Sequence, residues 1–352
     1  MKHKKPSVVI AGFGDEYSYH ALEHLEFLGR RSIPISVRFF SFNDEARLEN
    51  LDHLTHAEFQ KALAGLKADG HIKHITAATD EELGTYQRLI ANYGVKVWDI
   101  GSALGKQYLG DPNDVDNIPR VLENTIKAAK ALKTQRIRMF NFYPGTRDKL
   151  EQPGTDGYKM YHDLAVELVQ AIGANLKKEG LAGYLEVEAN LLGNNGANLM
   201  EFYNAVNCPN IVLYFDGANM VIQDAKKQGL SLQAYSDMID GIGGFHIKDA
   251  KYSELATGSH TNEEVAWPFV PVGQGDAAYD KVFESLWMTI DSIRDRLIKA
   301  GLPPEVGVVQ EPHQKCGGQF GGFTGSRYTV ANQALTRLLD AARIQYQDIS
   351  FK

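Results

Sequence analysis

Eight short runs rich in β-branched and aromatic residues recur along the chain, at 7–13, 33–40, 95–100, 136–142, 183–189, 210–216, 244–250 and 305–311. Longer segments with helical patterning separate them, among them 121–133, 161–180 and 283–301. Strands that alternate with helices pair in parallel through right-handed crossovers. Eight such units predict a closed α/β barrel of the (β/α)8 type, a TIM barrel, rather than an open doubly wound sheet. The 352 residues exceed the common domain size of roughly 100–200 residues, but barrels of this kind run as one domain from about 200 to over 400 residues. One domain spanning 1–352 is therefore expected.

One crossover is too long for this pattern. Residues 41–94 hold two helical patterns, at 58–70 and 81–94, with the run HIKHITAA (71–78) between them. The expectation is an inserted helical decoration on one rim of the barrel. The alternative makes 71–78 a true barrel strand and shifts the strand count by one. Gly and Asn cluster at 193–198 and 317–325, which read as rim loops.

Composition narrows the function. The net charge of -7 argues against nucleic acid as a partner, because phosphate backbones favour basic surfaces. No stretch of about 18 apolar residues occurs, so no membrane-spanning helix is expected. The basic start is followed by too short an apolar run, 8–13, and then at once by Asp15 and Glu16, which does not suit a signal peptide. The only cysteines are Cys208 and Cys316, too few for a disulfide framework and in keeping with a reducing, cytoplasmic setting.

Four of the strand runs end in residues that bind metals. Run 183–189 carries Glu186 and Glu188, 210–216 ends in Asp216, 244–250 carries His246, and 305–311 ends in Glu311. A charge inside an apolar strand is costly unless it is used, and the C-terminal ends of barrel strands build the active site. Side chains alternate along a strand, so each of these residues can face the barrel interior. Any one alone reads as a solvated rim acid or a core histidine. Four at equivalent strand ends read as one metal site. Three carboxylates and an imidazole suit Mn²⁺, Mg²⁺ or Co²⁺, and Zn²⁺ can also occupy such a set. With no thiolates it does not read as a structural zinc site. Glu188 stands as a substrate contact, a residue supporting the ligands, or the ligand in place of Glu186.

The segments YLEVEANLLGNNGAN, LYFDGANM, GFHIKDA, VPVGQGDAAYDKVFESL and VVQEPH resemble the sugar phosphate isomerase/epimerase family of the xylose isomerase-like TIM-barrel superfamily. The first half resembles it more loosely, through ISVRFF, VKVWDIGSALGK and RIRMFNFYP. The most specific part is the ordered set of Asp216 with Asn219 and His246 with Lys248 and Asp249. The resemblance implies one divalent ion, Mn²⁺ foremost, on Glu186, Asp216, His246 and Glu311. It implies an isomerase or epimerase that moves a proton next to a carbonyl through an enediolate, with Glu186 and Glu311 as both ligands and acid/base groups. It also favours a sugar or sugar derivative as partner and a homo-oligomer.

Lys248 is either a stabiliser of developing negative charge or a salt-bridge partner of Asp216 or Asp249. Arg38, Glu188, Asn190, Asn219 and His313 are candidate substrate contacts, and Tyr143 a candidate for the mouth. Arg38 reads more readily as a structural ion pair, and Asn219 is also placed to cap a helix. The turn GFGDEYS (12–18) lacks the third glycine of a dinucleotide fingerprint. VGQGD (272–276) reads as a βα loop rather than a phosphate cradle, and Cys316 as inert. Three rivals stand beside the leading reading. A lyase or dehydratase could use the same groups. A zinc endonuclease needs further histidines, which 33–40, 95–100 and 136–142 lack. The third rival is a sugar-binding protein without catalysis.

Overall fold

Runs such as IVLYFD and IGGFHI are buried along their whole length, which suits parallel strands covered on both faces. The computed structural model describes residues 6–51, 53–54, 56–223, 229–252, 269–313 and 325–349. Eight strands close into a parallel barrel: β1 Val9–Phe13, β2 Ile35–Val37, β3 Val97–Gly101, β4 Arg136–Met139, β5 Ala182–Glu186, β6 Ile211–Asp216, β7 Ile242–Ile247 and β8 Gly307–Gln310. Each pairs with its neighbours in sequence, and β8 pairs with β1, Ile10 opposite Val308. All eight runs anticipated from sequence supply a barrel strand.

The interior is filled by large aromatics set against glycines. A Cβ on Gly244 would lie 2.6 Å from the Tyr214 ring, and one on Gly307 2.3 Å from the Trp98 ring. Both strands therefore need glycine where those rings cross the barrel. Outside, crossover helices bury one apolar stripe each. The helix α1 Ala21–Arg30 buries Leu25 and Leu28. The helix α2 Asp80–Tyr93 starts with a capping box of Thr79 and Glu82 and ends on Gly94 at φ 63°, as the physics of orphaned helix ends requires. Among the described residues no helix is long and apolar enough to cross a membrane.

The insertion is narrower than 41–94. Asp80–Tyr93 is the ordinary crossover helix into β3, packed beside α1, so the second helical pattern belongs to the barrel. The true addition is a short ribbon, Phe39–Phe40 antiparallel to Lys73–His74, with helices Leu48–Leu51 and His56–Ala68 between its strands. It has a small core of its own, with Leu51, Phe59, Leu63 and Leu66 closed over Tyr19. Lys73–His74 pairs only with Phe39–Phe40, so 71–78 is not a barrel strand. The glycine-rich run 317–324 and Cys316 lie outside the described residues.

His24 joins α1 to α2. Its Nδ1–H donates to the Ser18 carbonyl at 2.9 Å, and its Nε2 accepts from the Tyr86 hydroxyl at 2.6 Å. Burial lowers its pKa to about 4. The unfolded chain, with a histidine near 6.5, takes up the proton first, so stability is complete above that pH and falls as pH drops from 6.5 toward 4. The loss from this one group is roughly 3 kcal/mol. Urea unfolding at pH 7 and pH 4.5 should show His24→Gln losing much less stability than the wild type over that interval. Equal losses would show that His24 does not carry the effect.

Candidate metal centre and pocket

Parallel barrel strands all end at one mouth, so the last residues of neighbouring strands meet there. Glu186 closes β5 and Asp216 closes β6. His246 is the second-last residue of β7. Glu311 follows β8, its amide donating to the Ile247 carbonyl at 3.0 Å. One donor atom from each of the four lies within 4.8 Å of the others. None of the four is more than 3 % exposed.

Neighbouring groups fix these side chains. The His246 ring lies against the Tyr214 ring, centroids 4.3 Å apart, and meets the Phe13 ring edge-on at 5.5 Å. Tyr279 donates its hydroxyl to the His246 carbonyl at 2.5 Å and accepts from the Gly217 amide at 3.0 Å, tying the ends of β7 and β6. Asp216 uses Oδ1 to accept the Asn219 amide at 3.1 Å, capping the helix Gly217–Gln223. The Asn219 side chain donates to Glu186 Oε1 at 3.3 Å and to the Val187 carbonyl at 3.0 Å. Asp216 is thus the capping residue, and Asn219 steadies a carboxylate.

The inward atoms lack aligned hydrogen-bond partners, although charged groups lie beside them. Asp216 Oδ2, both ring nitrogens of His246 and Glu311 Oε2 are buried and make no hydrogen bond. His246 Nδ1 approaches Glu186 Oε1 to 3.0 Å without hydrogen-bond alignment, and Lys248 Nζ lies 3.0 Å from Asp216 Oδ2. Orphaned buried polar atoms are rare, and these converge as the donor set of a divalent cation. The charges agree. Five buried carboxylates, on Asp15, Glu16, Glu186, Asp216 and Glu311, stand around three buried cations, Arg38, Arg138 and Lys248. Counted with all five acids ionised and no charge on the imidazoles, the state a bound cation would favour, the excess is two negative charges, which is what one divalent ion carries. Without an ion, burial raises the Asp15 and Asp216 carboxyls, and its opposite effect on His246 is outweighed by the surrounding carboxylates, which raise its pKa. The residues present fit such an ion.

Burial works against ionisation throughout this site, and the neighbours decide the outcome. It raises the Asp216 carboxyl despite Lys248 beside it. It also opposes ionisation of Glu186, but His246 and then Arg138 pull that carboxyl below its usual range. Glu311 is drawn well down by Lys248, Arg38, His313 and Arg138 against the same penalty. Glu186 and Glu311 are therefore ionised at neutral pH.

Residues 62–290 match the xylose isomerase-like TIM barrel family. The chain belongs to that family. No curated protein sequence matches the chain. Solved structures share the fold of this xylose isomerase-like barrel. The IolI protein with a bound zinc atom is 15% identical with a TM-score of 0.60, over 95% of this chain and 99% of its own. D-psicose 3-epimerase from Clostridium cellulolyticum H10, solved with D-tagatose, is 14% identical with a TM-score of 0.52, over 96% and 98%. A xylose isomerase-like TIM barrel protein from Mycobacterium smegmatis, in complex with magnesium, is 14% identical with a TM-score of 0.51, over 96% and 98%. At such identities the likeness speaks to the fold alone.

A cavity of about 450 Å³ in this xylose isomerase-like barrel is lined by two of the four clustered residues, Glu186 and Glu311. Arg38, Asn219, Lys248, Glu188 and His313 all line it. Arg38 is a buried ion-pair partner of Asp15, Glu16 and Glu311. His313 Nδ1 sits 2.7 Å from Glu16 Oε1, with Nε2 3.5 Å from Glu311. Lys248 pairs with Asp216, and Asp249 is not its partner. Glu188 lies outside the four-residue cluster and pairs with Lys106 at 2.7 Å, so Glu186 is the clustered acid. Asn190 is exposed in a left-handed turn, φ 67°, and does not line the cavity. Tyr143 stacks on Tyr108 at 4.4 Å, also outside the lining.

Several lining residues were not singled out from the sequence. Arg138, on β4, bonds the Gly101 and Ser102 carbonyls and pairs with Glu186 at 3.4 Å. It was legible as a charge in an apolar strand. The insertion supplies Phe39 and His74. Both ring nitrogens of His74 are engaged, with Thr76 and the Gly101 carbonyl, so it adds no ligand.

The VGQGD loop is folded around Asp249, whose carboxylate accepts the amides of Ala250, Gly273, Gly275 and Ala277 at 2.8–3.1 Å. Its donors are spent internally, so it is a βα loop and no phosphate cradle. Asp249→Ala leaves these amides unpaired and should cost about 3 kcal/mol or more in urea unfolding. A loss below about 1 kcal/mol would mean that water replaces the carboxylate.

Proposed function

We propose that this chain is a divalent-metal-dependent isomerase or epimerase of a sugar, acting by proton transfer next to a carbonyl through an enediolate. The observation that carries it is a pair of buried carboxylates, Glu186 and Glu311, three strands apart around the floor of one cavity, whose donor atoms converge with those of Asp216 and His246. Glu186, Asp216, His246 and Glu311 would hold the ion, Mn²⁺ foremost, with Mg²⁺, Co²⁺ and Zn²⁺ also suited. Bound there, it supplies Lewis-acid polarisation of the substrate carbonyl.

The chain's own groups do the rest. Glu311, kept ionised by Lys248, Arg38 and His313, accepts the proton from carbon, and Glu186 returns one. Lys248 offers positive charge to the oxygen that becomes negative. Phe39, Phe140 and Phe269 give the cavity apolar walls for the C–H faces of a sugar, and Lys106 with Glu188 offers polar contacts at its edge. The D-psicose 3-epimerase with D-tagatose and the metal-bound relatives support the reading. It extends to one domain, acting in the cytoplasm as a homo-oligomer.

Two measurements test it. Excess Mn²⁺ should raise the melting temperature of the wild type, by an amount worth about 2.7 kcal/mol at a hundred times Kd, and leave Asp216→Ala unmoved. A wild type indifferent to Mn²⁺, Mg²⁺, Co²⁺ and Zn²⁺ would remove the metal from the account. Incubated with ketoses and aldoses in D₂O, the loaded enzyme should place deuterium on carbon next to the carbonyl. Glu311→Gln should slow that exchange roughly 10²–10⁴-fold, about 3–5 kcal/mol in barrier. Conversion of a sugar without exchange would rule out the enediolate, and loss of water from the product would mark a dehydratase.

A further inference from the structure

Among the described residues a second set of ligand-type side chains adjoins the first. Glu16, Glu311 and His313 offer donor atoms within 4.8 Å of one another, all buried. Glu311 belongs to both sets. Asp15 lies alongside, completely buried, and its Oδ1 makes no hydrogen bond. Taken by residue type alone, this is half of a two-metal centre bridged by a glutamate.

Arg38 stands in its midst. The guanidinium donates to Asp15 Oδ2 from Nε at 3.0 Å and from Nη2 at 2.8 Å, to Glu16 Oε1 at 3.0 Å, and from Nη1 to Glu311 Oε1. The Phe13 ring backs it, 4.3 Å from Cζ to the centroid. We infer that Arg38 is the resident second cation of this pocket and holds the site to a single divalent ion.

Three features carry this inference, which rests on the metal reading proposed above. Arg38 takes up oxygens from all three neighbouring carboxylates, including both acids of the second set. A guanidinium does not lose its proton in a protein, so it cannot yield its place by becoming neutral. And the buried charges leave room for one divalent ion with Arg38 present, whereas a second would add two positive charges beside a fixed one. Without Arg38 the excess of negative charge rises from two to three, more than one divalent ion offsets, and the oxygens of Asp15, Glu16 and Glu311 that the guanidinium holds lose their cation.

The test counts ions. Wild type, Arg38→Ala and Arg38→Lys are dialysed against Mn²⁺, freed of excess, and measured for Mn per chain, with electron paramagnetic resonance to detect coupling between neighbouring Mn²⁺ ions. One ion is expected in the wild type, two coupled ions in Arg38→Ala, and one again in Arg38→Lys, which restores the charge. Arg38→Ala should melt lower than the wild type without metal and recover most of the difference in excess Mn²⁺. Two ions in the wild type, or a single ion in a folded Arg38→Ala, overturns the inference. So does an Arg38→Ala chain that Mn²⁺ fails to restore to the folded state, because the second ion is held to replace the missing charge. A wild type that binds no ion instead overturns the metal reading itself, and this inference falls with it.

Discussion

Charge removed from water has to be answered by charge or by hydrogen bonds, and the mouth of this barrel buries five carboxylates together. The answer is distributed around the barrel. Arg38 follows β2, Arg138 lies on β4 and Lys248 follows β7, so a cation reaches the cluster from each of three sides. Another buried acid, Asp99, is handled differently. It accepts hydrogen bonds from Ser36 and, at 2.7 Å, from the Tyr214 hydroxyl, and takes no part in the charge cluster. The contrast separates an acid satisfied by neutral donors from clustered ones with atoms left unsatisfied, on Asp15, Asp216 and Glu311.

That tension is tolerable because the surrounding scaffold is stiff. Tyr214 supports His246 from below, Tyr279 ties the ends of β6 and β7, and Asn219 holds Glu186 from a helix that Asp216 itself caps. Each ligand-type side chain is therefore positioned by a strand and a second contact, which is how a site keeps its geometry before substrate arrives. The insertion contributes differently. Its ribbon adds Phe39 and His74 to the cavity wall, far in sequence from the four clustered residues, so the part of the chain that departs from the barrel repeat shapes what can enter.

The barrel was legible because its signal is periodic. Eight buried runs and their helices repeat a physical unit, and all eight runs became strands. The four clustered residues were legible because charge at the end of an apolar strand is costly, and because position in a barrel strand fixes where a side chain goes. Glu186 and Glu188 could not be told apart by alternation, since both share a face. The end of β5 decided between them. An ion pair at Arg38 was legible as a charge in an apolar run, but its partners were not, because Asp15 and Glu16 lie 23 and 22 residues earlier in a turn where acids are ordinary. The boundary of the insertion was misjudged because the helix at Asp80–Tyr93 is amphipathic in the same way whether it decorates a rim or closes a barrel.

The central claim is that four strand ends hold one divalent ion. Anomalous diffraction from crystals soaked in Mn²⁺, recorded at the manganese edge, tests it most directly. The expected result is one peak per chain, with oxygens of Glu186, Asp216 and Glu311 and a nitrogen of His246 about 2.0–2.4 Å away. A peak elsewhere, or none at a concentration that shifts the melting temperature, would contradict it.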